Sequence, residues 1–316
     1  MTTTIDISSA YKAASPKLSV LVPFYKDDAS ALLQSLDVQI TKSPIEVLFY
    51  DDGTGDPSLS ENMRVAVNAA KGAVKLITNA LNQGRSGARN GLFEAARGDW
   101  VLFLDADMLP SRKDFLGTYL KLIESDGADI LFGGFEVESH QSDPDRDLHR
   151  ALSEVSDCLT LDERQAGGPQ YVASSNLCVR RKVLEVEPFD SGFSGWGWED
   201  SEWAARVSKR FTLLHVDNPA IHLGLESTAT LLKRFATSGA NYLRFTKAHP
   251  ELAKRLPLYN ISKSLGRLPG QSLMRPILKL FVKTHVLPMR ARLTALKLWR
   301  ASHYACLLYT SPSPRD

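Results

Sequence analysis

Four short, mainly apolar runs, at 18–22, 45–50, 74–77 and 100–104, are each followed by a stretch of different character, and this alternation restricts the fold most. Runs of that length and composition are strands buried on both faces, as in a parallel sheet covered by helices on either side. Behind the first run, Leu32, Leu33 and Leu36 recur at helical intervals, with Asp27 and Asp28 placed to complement the helix start. A Ser/Asn-bearing helix through Ala70 follows the second run, and a helix of small residues at 86–96 follows the third. Strand and helix in strict alternation predict an α/β fold, a doubly wound sheet with right-handed crossovers. With 316 residues and 43% hydrophobic content, the chain can bury one large or two modest cores.

Three of these strands end on ligand-capable residues: Pro23-Phe24-Tyr25, Asp51-Asp52-Gly53 and Asp105-Ala106-Asp107. Open α/β sheets bind ligands at the carboxyl edge, and two carboxylates one residue apart there suit a hard divalent cation with its phosphates. An acidic turn at 51–53 and a helix cap ahead of Pro110 are the plainer readings of the two acidic pieces. The glycine fingerprint G-x-G-x-x-G is missing after the first strand, which argues against a dinucleotide-dependent oxidoreductase. A formal charge of +2 gives no basis for nucleic acid as a partner. Cys158, Cys178 and Cys306 lie far apart, without C-x-x-C spacing, so neither a zinc site nor a disulfide framework is expected and a reducing cytoplasm is the default.

Further along, 129–137 reads as a strand broken at Gly133-Gly134, and 140–150 as a charged loop or helix start. Asp143, Asp145 and Asp147 alternate there but lack the glycine and closing glutamate of a calcium loop, so a solvated stretch is expected. A turn at Gly167-Gly168-Pro169 precedes an expected strand at 171–179 carrying Ser174, Ser175 and Asn176. Glu199 and Asp200 open a helical period continued by Glu202, Ala205, Arg206 and Lys209. The first turn of a helix stabilises an ionised carboxylate, although acidic residues are also ordinarily enriched there. His222 follows a strand-like stretch at 212–216, with His215 as a competitor for any ligand role. From 227 onward the spacing is helical. The basic, apolar stretch 273–298 either packs as a helical pair or lies on an anionic membrane surface. Lys279, Lys283 and His285 interrupt 276–289, so no spanning helix is expected. Residues 1–16 read as a flexible tail, and 306–316, with Ser311-Pro312-Ser313-Pro314, as a non-native one.

Leu18-Ser19-Val20-Leu21-Val22-Pro23-Phe24-Tyr25, Val47-Leu48-Phe49-Tyr50-Asp51-Asp52-Gly53, Asn82-Gln83-Gly84 with Ala88-Arg89-Asn90, and Asp105-Ala106-Asp107, in that order, resemble the motifs of family 2 glycosyltransferases of the GT-A fold. Gly192-Phe193-Ser194-Gly195-Trp196-Gly197-Trp198-Glu199-Asp200 resembles the acceptor-side loop of that family, with a Trp-Gly-Trp-Glu-Asp piece similar to galactosyltransferases. The resemblance implies a GT-A domain over 17–225, a doubly wound mixed sheet with a nucleotide-binding half (17–110) and an acceptor half (111–225), followed by a helical extension over 226–305. It implies metal-dependent, inverting transfer from a nucleotide-sugar donor, UDP-sugar favoured, to a hydroxyl of a glycan or lipid-linked acceptor in surface polysaccharide assembly. The alternative is a non-catalytic nucleotide-sugar-binding protein. By the same resemblance Asp107 and His222 ligate Mn2+ or Mg2+, Asp105 faces the ribose, Asp52 the base, Pro23 and Tyr25 line the base pocket, and Arg89 stands near the diphosphate. Asp200 is the catalytic base, Glu199 assists it and holds acceptor hydroxyls, and Trp196 and Trp198 offer an aromatic face to stack on sugar, a packed core indole being the alternative for one of the two. The expected location is cytoplasmic, with peripheral contact on the inner face of the membrane through the C-terminal helices as the alternative to their packing on the catalytic domain.

Overall fold

The computed structural model describes residues 3–138 and 143–310. Its strands are β1 (Thr4–Ile7), β2 (Leu18–Phe24), β3 (Ile45–Asp51), β4 (Ala73–Thr78), β5 (Trp100–Leu104), β6 (Met108–Pro110), β7 (Ile130–Phe132), β8 (Phe135–Val137), β9 (Asn176–Arg180), β10 (Leu213–His215) and β11 (Ala220–His222). Eight of them form a sheet in the order β1-β4-β3-β2-β5-β9-β7-β10. The four central strands β4, β3, β2 and β5 run parallel, while β1 and β9 pair antiparallel with their neighbours, so the sheet is mixed, as the resemblance implied.

Alternation along the central strands supplies both faces of the core. In β5, Leu102 and Leu104 join Leu32, Leu36, Met63 and Phe115 on one side, and Val101 and Phe103 join Leu92, Trp203 and Val207 on the other. Both faces are therefore covered by helices, and the polar carboxyl ends of the strands are left at a single edge. Asp52, Asp105 and their neighbours sit there because the strand hydrogen bonding ends with them: the Asp52 N–H donates to the Phe24 carbonyl at 2.9 Å, closing the β2–β3 ladder.

The second sheet, β6-β11-β8, carries the decisive long-range pairing. β11 runs antiparallel to β6 with His222 opposite Met108, and the Leu223 N–H donates to the Asp107 carbonyl at 2.9 Å. Backbone register thus fixes His222 beside Asp107. Gly133-Gly134, the expected break in a single strand, divides β7 in the large sheet from β8 in the small one. Asn176 ties the two together: its amide donates to the carbonyls of Gly134 and Asn218 at 2.9 Å and its oxygen accepts from the Tyr119 hydroxyl at 2.8 Å.

Two expectations are corrected. Thr4–Ile7 is an edge strand paired with Lys75–Thr78, not part of a flexible tail, and the Ser8 hydroxyl extends the pairing through the Gly72 carbonyl at 2.7 Å. An edge strand is held by backbone bonds, so its polar side chains gave no sign of it. The strand expected at 171–179 spans only 176–180, because Pro169 opens a 3-10 turn that carries the chain to Tyr171. Residues 306–310 continue the last helix, Met289–Thr310, whereas 311–316, and His140 of the charged stretch, lie outside the described residues.

Six helices, from Thr228–Thr237 to Met289–Thr310, follow the sheets. Leu231, Phe235, Val282, Leu296 and Trp299 form their core, which also takes Leu148 and Leu152 from the helix Asp147–Ser156. The extension is thereby stapled to the middle of the chain. Among the described residues no helix is long and apolar enough to cross a membrane.

Candidate active site

The helix Gly84–Ala95 starts at the carboxyl edge of the sheet, where Asp52 supplies the oxygens that its first turn lacks. Asp52 accepts from the backbone N–H groups of Gln83 at 2.7 Å and Gly84 at 3.0 Å. Burial raises the Asp52 pKa, and those two N–H groups only partly counter it. Gly53 adopts φ +75°, and a Cβ there would meet the Asn82 backbone nitrogen at 2.7 Å, so the turn requires glycine. Pro23 is half-buried in β2 and Tyr25 stands exposed just beyond it, on the rim of the same edge.

One helical turn apart, Arg85 and Arg89 reach from this helix to acids on two other elements. Arg89, 1% exposed, lies 3.5 Å from Asp105 Oδ1, 3.4 Å from Glu199 Oε1 and 3.4 Å from Asp200 Oδ1. Arg85, 39% exposed, holds Glu199 Oε1 at 2.9 Å and Asp105 Oδ2 at 3.4 Å. Burial opposes the charge of Arg85, but Glu199, then Asp105, Asp200 and Asp107 outweigh it and raise its pKa. A single guanidinium thus lies within electrostatic reach of all four carboxylates. The Ser174 hydroxyl donates to Asp200 Oδ1 at 2.8 Å, and Asp200 occupies the first turn of the helix Glu199–Val207.

Beside this cluster, His222 Nε2 stands 3.4 Å from Asp107 Oδ2. Burial works against both charged forms, yet their hydrogen bond and mutual charge prevail, holding the Asp107 carboxyl low and the His222 imidazole high. Neighbouring ligands of a six-coordinate Mg2+-sized ion lie about 3 Å apart, so this pair has the spacing and chemistry to hold such a cation. Among the described residues no set of three His, Cys, Asp or Glu side chains is placed to hold a metal ion, so the candidate is this pair alone. Gly224 leaves room for the Asp107 carboxylate, since a Cβ there would meet Oδ2 at 1.8 Å.

Residues 19–186 match the profile described as "Glycosyl transferase family 2", more than half of the chain. The chain belongs to glycosyl transferase family 2. Among curated relatives of this family 2 member, the uncharacterized glycosyltransferase YfnE of Bacillus subtilis is 31% identical over 243 residues, 60% of each chain. An uncharacterized glycosyltransferase of Haemophilus influenzae is 39% identical over 92 residues, 28% of this chain and 29% of that one. The alignment thus spans less than a third of that relative's own length. Among solved structures, a mannosyltransferase of Pyrobaculum calidifontis in complex with GDP-Man and Mn2+ superposes with TM-score 0.61 at 17% identity, covering 96% of this chain and 90% of that one. TarS 1-349 of S. aureus gives 0.50 at 17% identity, over 92% and 91%. Like these two structures, the chain has the GT-A fold.

Within this family 2 member, three expected placements change. Arg89 is enclosed by carboxylates, so Arg85, which sequence reading passed over, is the cation that faces outward from the edge. Its position four residues before Arg89 on a helix was the available signal. Glu199, 4% exposed and gripped by both arginines, is not placed to hold acceptor hydroxyls. The Trp198 ring is packed against Tyr242 and Phe245, at centroid distances of 4.8 and 5.0 Å, and so is not a free stacking platform. Trp198 also adopts φ +76°, a costly conformation for a bulky residue, which that packing holds in place. Trp196, half-buried, touches Phe235 at 5.5 Å. His215 is buried in β10 with its ring against Phe132, on the sheet rather than at the acid cluster.

Proposed function

We propose that this glycosyltransferase carries out metal-dependent, inverting transfer of a sugar from a nucleotide donor, a UDP-sugar foremost, to a hydroxyl of a glycan or lipid-linked acceptor in surface polysaccharide assembly. The reading rests on one observation: Arg85 and Arg89 knit the strand-end acid Asp105 to the helix-start acids Glu199 and Asp200, with Asp107 and His222 alongside. Asp107 and His222 would hold Mn2+ or Mg2+, and a cation of this kind stabilises the negative charge that builds on a departing nucleoside diphosphate. The Mn2+ of the mannosyltransferase neighbour supports that choice of ion. Arg85 adds a second positive charge at the same rim. Asp105 faces the ribose, and Asp52, between Pro23 and Tyr25 on one side and the 82–84 turn on the other, receives the base. Asp200, oriented by Ser174 and Arg89, takes the proton of the attacking hydroxyl. The galactosyltransferase-like loop makes UDP-galactose the first donor to try, with Trp196 on the acceptor side. The enzyme works in the reducing cytoplasm.

Two measurements test this. The protein is expected to hydrolyse or be thermally stabilised by at least one of a panel of UDP- and GDP-sugars with Mn2+ present, with the effect removed by EDTA. Stabilisation indifferent to the chelator would sink the metal assignment. Gly224→Ala is expected to weaken Mn2+ binding in the presence of UDP by about tenfold to a hundredfold while leaving the melting temperature near that of the wild type, since the methyl displaces the Asp107 carboxylate. Unchanged Mn2+ affinity, followed by electron paramagnetic resonance, would remove Asp107 from the metal site.

A further inference from the structure

The helix Gln271–Lys283 is apolar on two opposite sides. Its inner side sets Leu278 and Val282 into the C-terminal core, and Arg275 fixes it by donating to the Ser302 carbonyl at 2.8 Å and hydroxyl at 3.0 Å. Its outer side presents Leu273, Ile277 and Leu280, which are 76%, 58% and 65% exposed, with Phe281 at its flank. Spacings of four and three residues put the first three on a single stripe. The stripe continues into the flanking turns with Leu268 before the helix and Val286, 91% exposed, after it. Because the inner face is locked, the outer leucines and isoleucine cannot turn into the protein's own core.

Charge is distributed with the same asymmetry. Between residues 252 and 310 there are eleven lysines and arginines and no aspartate or glutamate, although the whole chain carries only +2. Lys279 and Lys283 stand along one flank of the stripe and have no acidic partner among the described residues. Across a cleft of about 230 Å³ they face Lys233, over a floor that includes Leu232 and Trp299. An apolar ridge bordered by cations of one sign matches a bilayer surface, where anionic phosphates lie just above acyl chains and lysine stems can reach outward to them.

We infer that this helix seats the enzyme on an anionic lipid surface, with Leu273, Ile277 and Leu280 entering the acyl boundary and Lys233, Lys279 and Lys283 holding lipid phosphates. The inference does not depend on the donor, metal or base assignments. Trp196 packs against the same helical core, so the seated face is built on the core that carries one side of the acceptor loop.

Co-sedimentation of the full chain with vesicles tests it, using phosphatidylcholine alone and phosphatidylcholine mixed with phosphatidylglycerol. The protein is expected to partition onto the anionic vesicles about tenfold or more above the neutral ones, less so at high salt. The triple variant Leu273→Ser, Ile277→Ser, Leu280→Ser and the double variant Lys279→Glu, Lys283→Glu should each lower that partitioning about tenfold, with unchanged circular dichroism and donor hydrolysis. These side chains are exposed, so the fold does not depend on them. No binding to either vesicle, or equal binding by wild type and both variants, would overturn the inference. So would a wild-type dimer in sedimentation velocity that the triple variant dissolves while vesicles are ignored, because the stripe would then belong to a second copy of the chain.

Discussion

Asp200→Asn is expected to lower the turnover of sugar transfer by about 10²- to 10⁴-fold, equivalent to about 3–5 kcal/mol of barrier, with donor affinity changed only a few-fold. The substitution keeps size and shape. Its amide oxygen can still accept from the Ser174 hydroxyl, now 2.8 Å from Oδ1, so the side chain stays oriented, but it cannot take up a proton. Asp200, 19% exposed, is the more accessible acid of its helix start, whereas Glu199 beside it is buried under two arginines, and only the more accessible of the two can meet an acceptor hydroxyl. The check is steady-state transfer alongside calorimetry with UDP. Wild-type turnover in the variant would remove Asp200 as the base and, with it, the main reason for reading the outcome as inversion.

How much of this was legible in the sequence depends on the range of the interaction. The β2, β3, β4 and β5 runs were visible because both faces of those strands are buried, which forces continuous apolar stretches. Their acidic ends were visible because they interrupt that pattern. β1 was not, since an edge strand is defined by hydrogen bonds that any residue can make. The placement of His222 opposite Met108 could not be derived from local spacing; it follows from the β6–β11 register across more than a hundred residues, and only the family resemblance pointed to it. The choice between ligand and packing for Trp198 and Arg89 was not legible locally, for a shared reason. Both residue types serve equally well at a ligand and in a packed interior, and the choice is made by what the distant C-terminal helices and the Glu199 helix bring against them. Gly224 carried no signal at all, as its meaning lies in the Asp107 carboxylate that occupies the space of its missing side chain.

Arg89 should therefore behave first as a structural clamp. Arg89→Met fills much of the same volume but withdraws the buried charge shared by Asp105, Glu199 and Asp200, and is expected to destabilise the protein by about 3–5 kcal/mol. Glu199 would keep only Arg85, at 2.9 Å, as a cationic partner, and Arg85 lies at the rim, where water competes for it. A second variant separates clamp from chemistry. Arg89→Met combined with Glu199→Gln removes one cation and one buried anion together, and should regain at least about 1 kcal/mol relative to the single change, because breaking a pair costs more than replacing it. Equilibrium urea unfolding of the three proteins measures both terms. If Arg89→Met alone melted like the wild type while transfer vanished, Arg89 would be a ligand for the diphosphate after all, and the clamp that joins the strand-end acid to the acceptor helix would have to lie in Arg85 alone.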